Sequence, residues 1–234
     1  MKEQIVITAV LGLSFLVLFS IAELLYHYAK VKAEITRKTV HIGTGILTLL
    51  FPVLLESHWS VLFLCSSFAM ILLLSLRYKL LKSINAIGRK SHGSISYPVA
   101  VYICFCVYSW FHNHRPEVGN GYILFYLPIL ILAICDPVAA LCGRRWPYGK
   151  YQVRTETKTL LGSSLFFVSA FFISFMLFVL LNHSQHAILQ TIIASTLIAM
   201  TTTVTEAICT KGTDNLFIPF TALFSLYFTL FLFY

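Results

Sequence analysis

A chain of 234 residues that is 58% hydrophobic and only 11% charged lies far below the roughly 25% charge of a soluble domain. With a mean hydropathy of +0.83, its solvent is lipid, which excludes a water-soluble enzyme. The net charge of +8 would suit an anionic polymer, but its placement along the chain assigns it elsewhere, and no nucleic-acid polymer is expected as a partner.

A membrane helix needs about 20 mostly apolar residues. In chain order such runs occupy 5–26, 40–56, 59–76, 95–111, 121–142, 160–181, 187–208 and 216–234. They predict an all-α polytopic membrane helix bundle of about eight transmembrane helices, forming one integral-membrane domain over 1–234. Ser20-Ile21-Ala22 is only a weak cleavage-like site, so the first run is read as a retained span. The six cysteines include no CxxC pair and read as small apolar fillers. The sequence leaves the oligomeric state open.

Basic residues sort by loop. Lys30, Lys32, Arg37 and Lys38 follow span 1, and Arg77, Lys79, Lys82, Arg89 and Lys90 follow span 3. Arg144, Arg145, Lys150, Arg154 and Lys158 follow span 5, and Lys211 follows span 7. Alternate loops share one side, so that side holds all but Lys2 and Arg115. The positive-inside rule makes it cytoplasmic and puts both termini on the opposite side. Much of the basic excess is accounted for by topology and anionic headgroups.

Ionisable residues inside spans are costly and commonly functional. Glu23, Asp136 and Glu206 lie within spans, and Asp214 and Asn215 open the last one. Asp136, Glu206 and Asp214 fall toward the cytoplasmic face. Oxygen ligands from separate helices suit Mg²⁺ held together with phosphates, which makes these three the candidate metal ligands. The alternative is that each acid pairs with a nearby Lys or Arg to fasten helices. The segment "GRRWPYGKYQVRTETKTLLGS", residues 143–163, has ingredients for a polyphosphate. Gly143, Gly149 and Gly162 allow close backbone approach, Arg144, Arg145, Lys150 and Lys158 supply countercharge, and Thr159 and Ser163 stand at a helix start. It is not a Walker loop, because five residues separate Gly143 from Gly149 and Tyr151 follows Lys150. On the same side, Arg37 and Lys38 of "RKTVHIGTG" share a helical face with His41.

Taken in order, "RKTVHIGTG", "GSISYP", "DPVAALCGRRWPYGK…TKTLLGS" and "TEAICTKGTDNLFIPF" resemble the motifs of the polyprenol kinase family, which includes dolichol kinases and phytol kinases. The third has the shape D-x-x-A-x-x-x-G-x-x-x(x)-G…K-T-x-x-G-S and matches at Asp136, Ala139, Gly143, Gly149, Lys158, Thr159, Gly162 and Ser163. The fourth matches at Glu206, Asp214, Asn215 and Pro219. The resemblance implies transfer of the γ-phosphoryl group of a nucleoside triphosphate, typically CTP, to an isoprenoid alcohol such as phytol, geranylgeraniol, farnesol or a longer polyprenol. The third motif is also similar to one in CTP:phosphatidate cytidylyltransferases. Their Pro-Gly-His-Gly-Gly segment and following Asp-Arg-x-Asp are absent, which favours the kinase.

Phosphoryl transfer needs charge neutralisation and alignment more than covalent chemistry. The expected division of labour has Asp136 and Glu206 on Mg²⁺, with Asp214 or Asn215 completing the site. Lys158, Arg144, Arg145 and Lys150 receive the triphosphate. His41 serves as base or, with Arg37 and Lys38, as a phosphate contact. The acceptor's hydroxyl meets them from the bilayer, in a site facing the cytoplasm. A cytidylyltransferase and a secondary transporter with a carboxylate relay are the alternatives.

Overall fold

The computed structural model describes residues 2–86, 93–115, 121–154, 156–181 and 188–233. Met1, Arg89, Lys90, Ala187 and Tyr234, which enter the expectations above, lie outside the described residues. The elements, in order, are α1 (Lys2–His27), α2 (Ala33–Thr48), α3 (Phe51–Leu54), α4 (His58–Arg77), α5 (Lys82–Asn85), α6 (Gly93–His114) and α7 (Ile123–Leu130). A π-helical turn (Ile131–Cys135) then leads into α8 (Asp136–Arg145). The strands β1 (Lys150–Val153) and β2 (Glu156–Thr159) and the helices α9 (Leu160–Leu181), α10 (Ile188–Ile208) and α11 (Asp214–Phe233) complete the chain.

Among the described residues seven helices are long and apolar enough to cross a membrane, the unbroken 123–145 helix among them. Their outward faces carry large apolar side chains: Leu13, Phe63 and Phe172 are all exposed, as lipid contact requires. The 123–145 helix is the hub. Phe125, Leu127, Ile129, Ile131 and Leu132 have no exposed surface, so Asp136 is carried on the most enclosed element of the bundle. Around it pack α2, α6, α9 and α11.

Seven of the expected spans coincide with these helices to within a few residues. The eighth, 40–56, is not one helix. It begins earlier, at Ala33, and tightens at Leu49–Leu50 before α3. Pro52 has no N–H to give the Thr48 carbonyl, so the helical ladder is interrupted there; Leu50 N instead donates to Leu47 O at 3.2 Å. The combined α2–α3 segment runs beside α1. Glu23 of α1 accepts from Ser83 N at 2.9 Å and Oγ at 2.8 Å, and Thr36 of α2 donates to Ser83 O at 2.6 Å. At the other end Gln4 Nε2 donates to Leu54 O at 3.4 Å. From Glu23 to Gln4 is about 28 Å at ~1.5 Å per residue.

The bundle is helical as expected, with one small addition, a hairpin after α8. β1 and β2 pair antiparallel, Lys150 opposite Thr159 and Val153 opposite Glu156, in a segment read as an irregular phosphate loop. Tyr151, Val153, Thr157 and Thr159 are strand-favouring residues, and Gln152 Nε2 donates across the pair to Thr157 Oγ1 at 2.9 Å. Gly149 enters the hairpin at φ +64°, which glycine adopts without steric cost.

Candidate active site

The site grows from a defect in the hub helix. Pro137 carries no N–H, and the turn before it is π-helical. In an i→i+5 register the Leu132 carbonyl faces the Pro137 nitrogen, which has no hydrogen to give. His41 takes the vacancy, with Nε2 3.0 Å from Leu132 O. A carbonyl oxygen only accepts, so Nε2 carries the proton, and in the neutral ring Nδ1 is left as an acceptor. Asp136 Oδ2 lies 3.6 Å from the same Nε2, near enough to stabilise an imidazolium.

Lys38 donates to Asp136 Oδ2 at 2.6 Å, with both side chains at most 8% exposed. Lys38 is thus a buried counterion, although its position beside Arg37 suggested a phosphate contact. Removing one member of such a pair strands the other charge at a cost of about 3–5 kcal/mol.

A second ion pair joins α9's approach to α10. Lys158 Nζ donates to Glu206 Oε1 at 2.8 Å and also reaches the Glu206 backbone carbonyl. Ser163 Oγ donates to Glu206 Oε2 at 3.3 Å, and Tyr151 OH is 2.8 Å from Ser163 Oγ. Asp214, at the first position of α11, interacts electrostatically with Asp136, Lys38 and Lys158. The next residue, Asn215, donates from Nδ2 to Gly93 O at 3.4 Å, tying α11 to α6. Two of the three acids, Asp136 and Glu206, are each paired with a lysine, as in the helix-fastening alternative, and Asp214 interacts electrostatically with both of those lysines. Among the described residues no three His, Cys, Asp or Glu side chains are grouped to hold a metal ion.

The basic rim is organised by Glu34. Arg37 contacts it at 2.7 Å and Arg144 at 3.1 Å. Burial alone would raise the Glu34 carboxyl, but the Arg37 guanidinium, with Arg144 and Lys38, outweighs it and holds the group below the usual carboxylate range. Arg145 and Lys150 point into solvent.

The glycines chosen for phosphate contact are packing positions here. A Cβ on Gly143 would lie 2.5 Å from Thr159 Oγ1, and one on Gly162 would lie 3.0 Å from the Ala139 carbonyl. Ala139 and Gly143 of α8 thus mesh with Thr159 at the end of β2 and Gly162 in the first turn of α9, a small-residue seam of the kind membrane helices use. A Cβ on Gly149 would meet the Leu160 side chain at 2.7 Å.

Beside this polar end lies a cavity of about 630 Å³ among the helices α1 to α6 and the start of α11. Arg37, His41 and Asn215 line it at one end; Phe15, Phe51, Leu64 and Phe68 line the rest. Tyr97, 7% exposed, also lines it. Its hydroxyl and Arg37 Nε are buried without a hydrogen-bond partner among the described residues. Sequence reasoning passed over Tyr97 although "GSISYP" contains it. Nothing local separates one buried tyrosine from the other aromatics of so aromatic a chain.

The architecture and the site define the class first: a polytopic membrane protein with charged pairs buried at one end of its bundle and an apolar cavity opening beside them. Compared with known proteins, the chain is 30% identical over 198 residues to a phytol kinase from Synechocystis sp., covering 85% of this chain and 80% of that one. No family model matches, and no solved structure matches. The chain belongs to the polyprenol kinase family, and it is an enzyme, a kinase.

Proposed function

We propose that the protein transfers the γ-phosphoryl group of a nucleoside triphosphate, CTP by the family resemblance, to the hydroxyl of a membrane isoprenoid alcohol, giving a prenyl monophosphate. One observation carries this reading: a cavity lined mostly by apolar side chains ends at His41 and Arg37, next to buried Asp136. A prenyl alcohol has the same polarity, an apolar tail and one polar end. The relative's name adds phytol as an acceptor of this kind.

His41 is the base. With Nε2 held by Leu132 O, Nδ1 takes the alcohol proton as the oxygen attacks the γ-phosphorus and the nucleoside diphosphate leaves. Asp136 offsets the charge on the imidazolium. Tyr97's unpartnered hydroxyl bonds the incoming alcohol and orients it. Arg37 and Arg144, braced on Glu34, receive the triphosphate with Arg145 and Lys150. Lys158 is held by Glu206 and completes the positive wall, so Glu206 acts as a positioning residue.

A Mg²⁺ ion fits the donor chemistry, since it commonly takes only one or two carboxylates plus phosphate oxygens. Asp136 and Asp214, carboxylates that influence each other electrostatically, would hold it, with Asn215 beside them. When bound it would supply neutralisation of the phosphate charge.

The topology supports a cytoplasmic site. The α2–α3 segment lies along α1, tied to Glu23 through Ser83 at one end and to Gln4 at the other, a length close to the ~30 Å of a hydrocarbon core, which supports reading it as an eighth crossing. The crowd of basic residues then lies with the site on the cytoplasmic side, and both termini lie opposite.

Purified His41→Asn should lose about 10²–10⁴ in kcat, the usual contribution of a general base. Asp136→Asn should abolish transfer while the protein still inserts. Wild-type turnover by either variant contradicts the assignment.

A further inference from the structure

Arg37, His41 and Asn215 line the cavity at its polar end, and Phe15, Phe51 and Leu64 line it at the other. Along α2 and α3 it is lined by Arg37, His41, Thr44, Thr48 and Phe51, one face followed turn by turn. At the floor Phe51 is 1% and Phe15 2% exposed, their ring centroids 6.1 Å apart at 73°. Phe15 also meets Phe68 at 4.6 Å, and Leu64 fills in from α4. The rings brace each other across three helices, a packed cluster that a longer tail would have to displace.

The distances set a length. At ~1.5 Å per residue, His41 lies about 15 Å above Phe51 and Arg37 about 21 Å above it. An extended chain advances about 1.2 Å per bond, judged from a backbone with three bonds per residue. The space therefore accepts roughly 12–17 bonds below the reacting oxygen, which is the main chain of a prenol with about fifteen to twenty carbons. A polyprenol of eleven isoprene units, at about 5 Å each, is more than twice too long.

We infer that the Phe15–Phe51 pair is a chain-length stop, and that the acceptor is a short prenol of farnesol to phytol size rather than a dolichol-size polyprenol. This inference rests on the cavity being the alcohol site.

The test is kcat/KM of the purified protein across alcohols of ten, fifteen, twenty, thirty and fifty-five carbons. The wild type should favour fifteen or twenty carbons over fifty-five by at least tenfold. Phe51→Ala should raise the thirty-to-fifteen-carbon ratio at least tenfold, and Thr48→Phe should lower the twenty-to-ten-carbon ratio by a similar factor. If Phe51→Ala does not fold, Leu64→Ala opens the same floor and should shift the ratio in the same direction. An active wild type indifferent to length, or active variants that keep its profile, overturns the stop while leaving the proposed reaction intact. A wild type inactive on every isoprenoid alcohol overturns both.

Discussion

An unpartnered buried hydroxyl costs about 1–3 kcal/mol, and Tyr97 carries one at the cavity wall. In the proposed function the cost is recovered when an alcohol enters and bonds to it. Tyr97→Phe should therefore leave the empty protein as stable or more stable, by up to about 1 kcal/mol, yet lower kcat/KM for the alcohol about tenfold, the equivalent of roughly 1.4 kcal/mol. Thermal unfolding and steady-state kinetics on the same preparation separate this from a packing role, which would lower stability and spare the kinetics. At this scale the sequence is uneven. Asp136 stands out because carboxylates inside apolar runs are expensive, and Lys38 and His41 are legible as one helical face. That Lys38 neutralises Asp136 rather than a phosphate is a fact of tertiary contact. The pair spans 98 positions of chain, and no local pattern encodes it.

Elements explain why the third motif looked like a phosphate loop. Small residues spaced for backbone approach to a ligand are also spaced for backbone approach between helices, and one chain cannot distinguish the two until the partner helix is known. Here the partner is the start of α9. Gly143→Ala places a methyl 2.5 Å from Thr159 Oγ1, and overpacking of this sort costs about 1–3 kcal/mol. Adding Thr159→Ala should recover part of that loss, a coupling measurable in a double-mutant cycle; strict additivity would contradict the seam. The hairpin and the break in α2–α3 were hidden for related reasons. Four-residue strands give too short an alternation to read, and Arg37 and Lys38 dilute the hydropathy of a helix whose apolar portion begins only at Val40. The π-helical turn has a local signature in Pro137, yet its use, freeing Leu132 O for His41, depends on α2.

The whole molecule was the most legible scale. Hydropathy alone located seven helices, because the bilayer imposes one length on all of them, and alternate-loop charge put the acids at one end. What charge counting could not supply is the cavity. It exists where the faces of α1 to α6 and the start of α11 leave space, and in the proposed function it gives the cluster of ion pairs a substrate. It also explains why a kinase is built from membrane helices. Each buried CH₂ of an acceptor is worth about 0.8 kcal/mol, so the lipid stays in the bilayer and the enzyme must meet it there. The central claim, that this site moves the γ-phosphoryl group to an isoprenoid hydroxyl, is tested most directly with purified protein, farnesol or phytol, Mg²⁺ and CTP labelled at either the α- or the γ-phosphate. The account predicts that γ-label alone appears in the lipid product, and that Asp136→Asn abolishes its appearance. Lipid carrying the α-label, or no labelled lipid from any isoprenoid alcohol offered, would contradict it.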